Sequence, residues 1–483
     1  MNTAKNELIS GVIYSAIAKY SNIIISIIVT MILSRLLKPE LFGTVAIATI
    51  FISFFSTLTT VGISPAIVQN KTITHNELQS INSFTFLLAL AFSLCYILCI
   101  PLINRFYENH DSLSNILYLL SINIFFSIAS IVPNALFLKN KQFKFIGIRT
   151  LFIQLIMGII AIIGAFKGLG IYSLLINPIL GSICLFIINF YIYPIKFQPI
   201  TKSSLDKILS FSTYQMLFNI TYLAYRNIDK IFIGRIYNMS TLGYYEKSYR
   251  LMMLPLENIS GVISPVLHPI LSEYQNDHNY IWNSYLKILT ALAEIGFLLT
   301  VIIYFASDSL ITIMYGSQWE QSIPIFKILS LSIGIQIIQS PIGAIFQSIN
   351  KVKGLLFSSL WMLFFIICSI ITSYYFNHIE YLTRGIVISF ILGFIIYQIY
   401  LVRYLKTSLT AVFKAILHPL LIGIGLFILL YIVSEITSQP KNQFPYLVII
   451  SIISFLYLII MILSKQLPYT RNTIYNLINR IKK

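Results

Sequence analysis

Apolar runs separated by short polar breaks recur along this chain from one end to the other. Between the breaks they fall at 12–34, 41–63, 81–104, 114–137, 148–168, 171–193, 209–234, 248–270, 285–305, 324–348, 354–375, 383–401, 414–434 and 444–464. Each has about the twenty residues that a helix needs to cross a hydrocarbon core of about 30 Å. The pattern predicts an all-α integral membrane protein with about fourteen transmembrane helices. The first run is too long for the apolar part of a signal peptide, and no small-residue cleavage site follows it, so it reads as the first span. An even number of spans places both termini on the same side. No loop is long enough to house a soluble catalytic domain.

Composition agrees with the pattern. Of 483 residues 57% are hydrophobic and 10% charged, against roughly 25% charged in soluble proteins. The 33 Lys and Arg outnumber the 16 Asp and Glu, giving a net +17. These basic residues lie in short loops, as the positive-inside rule produces, which argues against a nucleic-acid partner. With the N-terminus inside, twenty fall on its side and ten opposite, while Lys19, Arg226 and Lys230 lie within spans. Both termini are therefore expected in the cytoplasm. The tail 470–483 places Ile474, Leu477, Ile478 and Ile481 on one helical face amid Arg471, Arg480, Lys482 and Lys483. Such a helix suits the inner leaflet, a solvated tail being the alternative. Cys95, Cys99, Cys184 and Cys368 sit in apolar runs and read as small hydrophobes. The six histidines show no metal-ligand spacing. Neither a G-x-x-x-x-G-K-[ST] loop nor a G-x-S-x-G or H-E-x-x-H motif occurs, so no nucleotide hydrolysis, hydrolase or metal site is expected.

Sliding the chain over itself by 200 residues aligns Arg35 with Arg235, Gly43 with Gly243, and Ile63-Ser64-Pro65 with Ile263-Ser264-Pro265. The first and seventh spans carry matching polar stripes. Ser15, Lys19, Asn22, Ser26 and Thr30 align with Gln215, Asn219, Tyr222, Arg226 and Lys230. The three- and four-residue spacings keep each set on one helix face. Six spans separate the repeats, so the halves are parallel. The expected organisation is a six-helix bundle over 1–205, a second over 206–402, and two extra helices with a basic tail over 403–483. Transporters with parallel halves bind substrate between them and rock in alternation.

Polar residues in a span face the protein interior or a water-filled cavity, because lipid cannot satisfy them. The seventh span is the richest, with Gln215, Asn219, Tyr222, Arg226, Asp229 and Lys230. Arg226 and Asp229 are spaced to neutralise one another, and Lys230 leaves the cluster net positive, which suits an anionic, phosphate-bearing substrate. Snorkelling to the interface is the alternative for Lys19, Arg226 and Lys230. Glu294, amid apolar residues of the ninth span, and Asp229 are the candidates for proton or sodium coupling; a neutral structural acid is the alternative for Glu294. Pro255, Pro265 and Pro269 would bend the eighth span.

Ser34-Arg35-Leu36-Leu37-Lys38-Pro39-Glu40-Leu41-Phe42-Gly43 resembles the ARLL-P-FG signature of bacterial polysaccharide flippases, as does Gly62-Ile63-Ser64-Pro65-Ala66-Ile67-Val68-Gln69. Arg226-Asn227-Ile228-Asp229-Lys230-Ile231-Phe232-Ile233-Gly234-Arg235 and Leu242-Gly243-Tyr244-Tyr245 resemble that family's N-x-D-x-x-x-I-G and L-G-x-Y elements. The chain is thus similar to the Wzx-type flippases, of the O-antigen, colanic-acid and teichuronic-acid exporter kind, in the multidrug/oligosaccharidyl-lipid/polysaccharide exporter superfamily. The similarity weakens after about residue 400. It implies a V-shaped pair of six-helix bundles that flips undecaprenyl-diphosphate-linked oligosaccharides to the periplasmic leaflet by alternating access, without a cofactor. It also implies that Arg226 and Lys19 contact the diphosphate or sugar acids, with Asn22, Asn219, Gln215, Asp229 and Lys230 in the same cavity. A monomer working beside a polysaccharide polymerase and chain-length partners is expected. Two rivals are an ion-coupled multidrug antiporter of the same superfamily, which would favour acidic cavity residues, and a membrane polymerase or ligase, which would need a large periplasmic loop.

Overall fold

The computed structural model describes residues 2–70, 72–108, 111–206, 213–437 and 443–481, and no strand occurs among them. Lys71, Lys207, Lys441, Lys482 and Lys483 lie outside the described residues. So do the side chains of Lys5, Ser15, Ser264, Pro265, Ile474, Leu477, Ile478, Arg480 and Ile481.

In chain order the first half carries α1 (Asn2–Leu36), α2 (Pro39–Gln69), α3 (His75–Phe106), α4 (Asp111–Ala129), α5 (Ile131–Lys139), α6 (Phe143–Phe166), α7 (Tyr172–Ile192), the short α8 (Lys202–Asp206) and α9 (Thr213–Ile236). The second carries α10 (Met239–Ser272), α11 (His278–Tyr315), α12 (Ser322–Ser330), α13 (Ile333–Gln339), α14 (Ile342–Ser348), α15 (Val352–Phe376), α16 (Ile379–Leu405), α17 (Leu409–Ile436), α18 (Gln443–Leu463) and α19 (Pro468–Ile481). Starts follow local chemistry. Pro39 opens α2, where a missing N–H costs nothing. Thr74 and Glu77 form a reciprocal capping box at α3.

Eleven described helices are long and apolar enough to cross a membrane, and α12 with α13–α14, bent by 45°, makes a twelfth. The protein is a multi-pass membrane protein. Large side chains such as Leu98 (75% exposed) and Leu463 (75%) stand on the outer faces, where lipid rather than water must cover them. The remaining two of the fourteen expected spans are α9 and α10, which are continuous helices of 24 and 34 residues. Their polar stripes hold them below the apolarity of a lipid-facing helix, so length and composition establish eleven or twelve crossings rather than fourteen. α10 runs unbroken through Pro255 and Pro269.

The chain divides into two compact units, Met1–Leu223 with Lys230–Gly243, and Ala224–Asp229 with Tyr244–Lys483. This partition groups 206–223 and 230–243 with the first unit, and leaves 403–483 within the second.

In the first unit α1 lies along α6, and α4 packs among α2, α3 and α7. Gly158 lets α6 approach α1, since an added Cβ there would meet Val29 Cγ2 at 2.6 Å. Small residues at such crossings let helices approach where no hydrophobic effect drives them together. The tightest crossing joins the first turns of α2 and α10. A Cβ on Gly43 would overlap the carbonyl oxygen of Met239, and one on Gly243 would overlap that of Pro39. The contact is reciprocal, pairing 43 with 239 and 243 with 39, positions related by 200 in number. Nearby, the Tyr107 hydroxyl donates to the Ile231 carbonyl at 2.9 Å.

In the second unit α11 is the spine, with α12, α13, α17, α18 and α19 packed on it, while α15 and α16 form a hairpin. At the bend in α12–α14, Gly334 lies against Gly296, and its N–H donates to Thr300 Oγ1 at 2.8 Å. The Ser332 hydroxyl turns back to the Leu329 carbonyl at 2.7 Å, satisfying an acceptor that the break releases.

Candidate functional site

The stripe expected on the seventh span is borne by α9, and its members meet different surroundings. In the first unit Gln215 Nε2 donates to Asn219 Oδ1 at 3.2 Å, one turn on, and both side chains are half-buried. In the second unit Arg226 is half-buried and points into a polar and aromatic nest. Its guanidinium donates to Gln336 Oε1 at 2.7 Å, Tyr249 OH at 3.2 Å and Met253 Sδ at 3.4 Å. It also lies over the rings of Phe390 (5.3 Å) and Tyr225 (5.8 Å), where ring quadrupoles favour a cation. Asp229 is 2% exposed and accepts a hydrogen bond from the Tyr245 hydroxyl. Lys230 is 7% exposed. On α1, Lys19 is exposed and Asn22 half-buried.

Glu294 is 2% exposed. It accepts from the backbone N–H of Thr470 at 2.8 Å and of Tyr469 at 3.3 Å, and from Thr470 Oγ1 at 2.7 Å. This acid caps the first turn of α19, where backbone N–H groups lack helical partners and the dipole favours a negative charge.

Two further cations are buried in packed helices. Arg149 of α6 is 7% exposed. It donates to Asn189 Oδ1 and, at 3.1 Å, to Asn134 Oδ1, and lies over Phe137 at 5.1 Å and Phe145 at 5.9 Å. Lys247 of α10 is 6% exposed, with its ammonium over Tyr315 at 5.0 Å and Trp319 at 5.6 Å. Reading along the chain also missed Gln336, Tyr249 and Tyr245, the partners that orient Arg226 and Asp229. No apolar period flags a glutamine 110 positions away.

The buried charges of α9 thus sit in a many-helix membrane fold. The fold matches that of the Lipid II flippase MurJ in an inward closed conformation, with a TM-score of 0.72 at 18% identity over 96% of this chain and all of that one. It also matches an inward-facing multidrug resistance MATE transporter of the MOP superfamily, with a TM-score of 0.63 at 14% identity over 80% and 96%. Residues 32–324 match the model of the polysaccharide biosynthesis protein family, and the chain belongs to that family. Among its relatives, the teichuronic acid biosynthesis protein TuaB of Bacillus subtilis is 23% identical over 85% of this chain and 86% of its own length. The lipopolysaccharide biosynthesis protein WzxC of Escherichia coli is 23% identical over 72% and 71%.

Proposed function

We propose that this protein flips undecaprenyl-diphosphate-linked oligosaccharide repeat units from the cytoplasmic to the outer leaflet, for surface polysaccharide assembly. The observation that carries the reading is membership of the polysaccharide biosynthesis family over residues 32–324, in a chain whose fold is that of a lipid-linked precursor flippase. The α9 stripe supplies a physical rationale. A half-buried guanidinium held by Gln336 and Tyr249 is pre-oriented, and a planar fork of donors matches diphosphate oxygens. Arg226 and Lys19 are assigned to the diphosphate or sugar acids, and Gln215, Asn219, Asn22, Asp229 and Lys230 to the same path. The parallel halves over 1–205 and 206–402 would rock in alternation. Both termini face the cytoplasm of a bacterial inner membrane, a proton or sodium gradient is the driving force, and the monomer works beside a polymerase. Glu294 and Asp229 are the residues assigned to that coupling.

The test is deletion of the gene in its host, extraction of lipid-linked intermediates, and complementation with wild type or Arg226→Ala. Unpolymerised lipid-linked repeat units should accumulate in the deletion strain, with loss of surface polysaccharide. Arg226→Ala, at normal protein level, should fail to restore export. Unchanged polysaccharide with raised drug sensitivity would replace this reading with a drug antiporter.

A further inference from the structure

α18 ends at Leu463 and α19 begins at Pro468. The elbow between them is fixed at three points within the second unit. His418 of α17 and Gln466 are hydrogen-bonded at 2.8 Å between Nε2 and Oε1. Leu467 is 1% exposed and packs in a core cluster with Leu298, Leu426 and Ile450. Glu294 of α11 caps α19 through three hydrogen bonds. The first turn of α19 is therefore held at a set depth and direction, which a solvated tail would not need.

α18 has 21 residues, about 31 Å of helix, which matches the roughly 30 Å of a hydrocarbon core. Its Phe455, Leu456, Ile460 and Leu463 are exposed and need lipid over them. Five residues past Leu463 the chain turns into a helix whose Ile474, Leu477, Ile478 and Ile481 share one face by spacing. From Ser464 onward it carries Lys465, Arg471, Arg480, Lys482 and Lys483 and no acidic residue. A one-sign charge of this kind complements a surface of phosphates.

We infer that α19 is an anchor for anionic phospholipid. It lies in the headgroup layer at the end of α18, with Glu294 holding its start in register. Helices of this composition lie in the plane of the interface, and each basic residue near an anionic surface adds about fivefold in affinity. With the termini placed as proposed above, the leaflet is the cytoplasmic one. The experiment below reads neither sidedness nor transport, so its outcome is independent of the flippase reading.

The full-length protein is reconstituted in nanodiscs of phosphatidylcholine alone or of a mixture rich in phosphatidylglycerol. Amide hydrogen exchange is followed over 471–481, with the α18 amides as internal standard. Exchange should be at least about tenfold slower with phosphatidylglycerol. High salt should remove the difference, as should the combined substitution of Arg471, Arg480, Lys482 and Lys483 by Gln. Equal exchange in the two lipids overturns the proposal, in favour of a solvated tail or one held by protein alone. Slowing that persists in the glutamine variant overturns it as well, because charge would then not be the cause.

Discussion

Replacing Gly43 by alanine probes the α2–α10 crossing directly. The added Cβ would overlap the Met239 carbonyl oxygen, and would lie 2.9 Å from its carbonyl carbon and 3.0 Å from the Gly243 nitrogen, against 3.4–4 Å for ordinary contact. These are backbone atoms, so no rotamer change relieves the clash and the two helices must part by roughly 1 Å. Forcing a methyl group into a packed site costs about 1–3 kcal/mol. Alanine also gains up to about 1 kcal/mol of helix propensity over glycine, which would mask part of that cost. Gly343→Ala is the control, since Gly343 lies in α14 with nothing within 4 Å of an added Cβ. Unfolding is followed by titrating the purified protein from mild detergent into dodecyl sulfate. Gly43→Ala should be less stable than Gly343→Ala by about 1–3 kcal/mol, a difference from which propensity cancels. Gly43→Ala with Gly243→Ala should cost less than the two separately, because one separation of the helices relieves both clashes. If Gly43→Ala proved as stable as the control, the helices would not cross at backbone distance and the reasoning would fail.

Other substitutions separate buried from exposed polar contacts. Arg149→Ala takes the donor from the buried amide of Asn189, an orphaning that costs about 1–3 kcal/mol, and Arg149→Lys should not restore it, because an ammonium lacks the planar fork. Equal stability of wild type and Arg149→Lys would refute that. Tyr245→Phe removes the hydroxyl that donates to Asp229 and should lose about 1.5–3 kcal/mol. In a double-mutant cycle with Asp229→Asn, the coupling should account for most of that loss. Glu108→Gln breaks the ion pair to Arg235, at 2.5 Å with side chains 77% and 39% exposed. It should change stability by less than about 1 kcal/mol, and by less still at high salt.

What could be read from the sequence was whatever repeats locally. Apolar runs gave the spanning helices, and the i, i+4 spacing of Gln215 and Asn219 foretold a contact that the fold makes. The breaks at Ser130, Ser332 and Ser340 were invisible, because serine in an apolar run interrupts no period and the bends depend on tertiary partners such as Thr300. Charges were the least legible. The partners of a cation at a span end are not its neighbours in sequence, and those of Arg149 lie 15 and 40 positions away. Glu294 shows the same limit more strongly. Its partners are 175 and 176 positions later, at the start of a helix that the tail alone showed only as amphipathic.

Because the elbow after α18 is fastened to α11 and α17, α18 cannot slide along them or swing freely. A lone helix meets a bilayer of the wrong thickness by tilting; here tilt would pull Leu467 from its cluster and Tyr469 and Thr470 from Glu294. The lipid must adapt instead, thinning or thickening around α18 until its hydrocarbon layer matches 21 residues. The protein thus carries its own thickness gauge, and bilayers of short or long acyl chains load its strain onto the Glu294 cap.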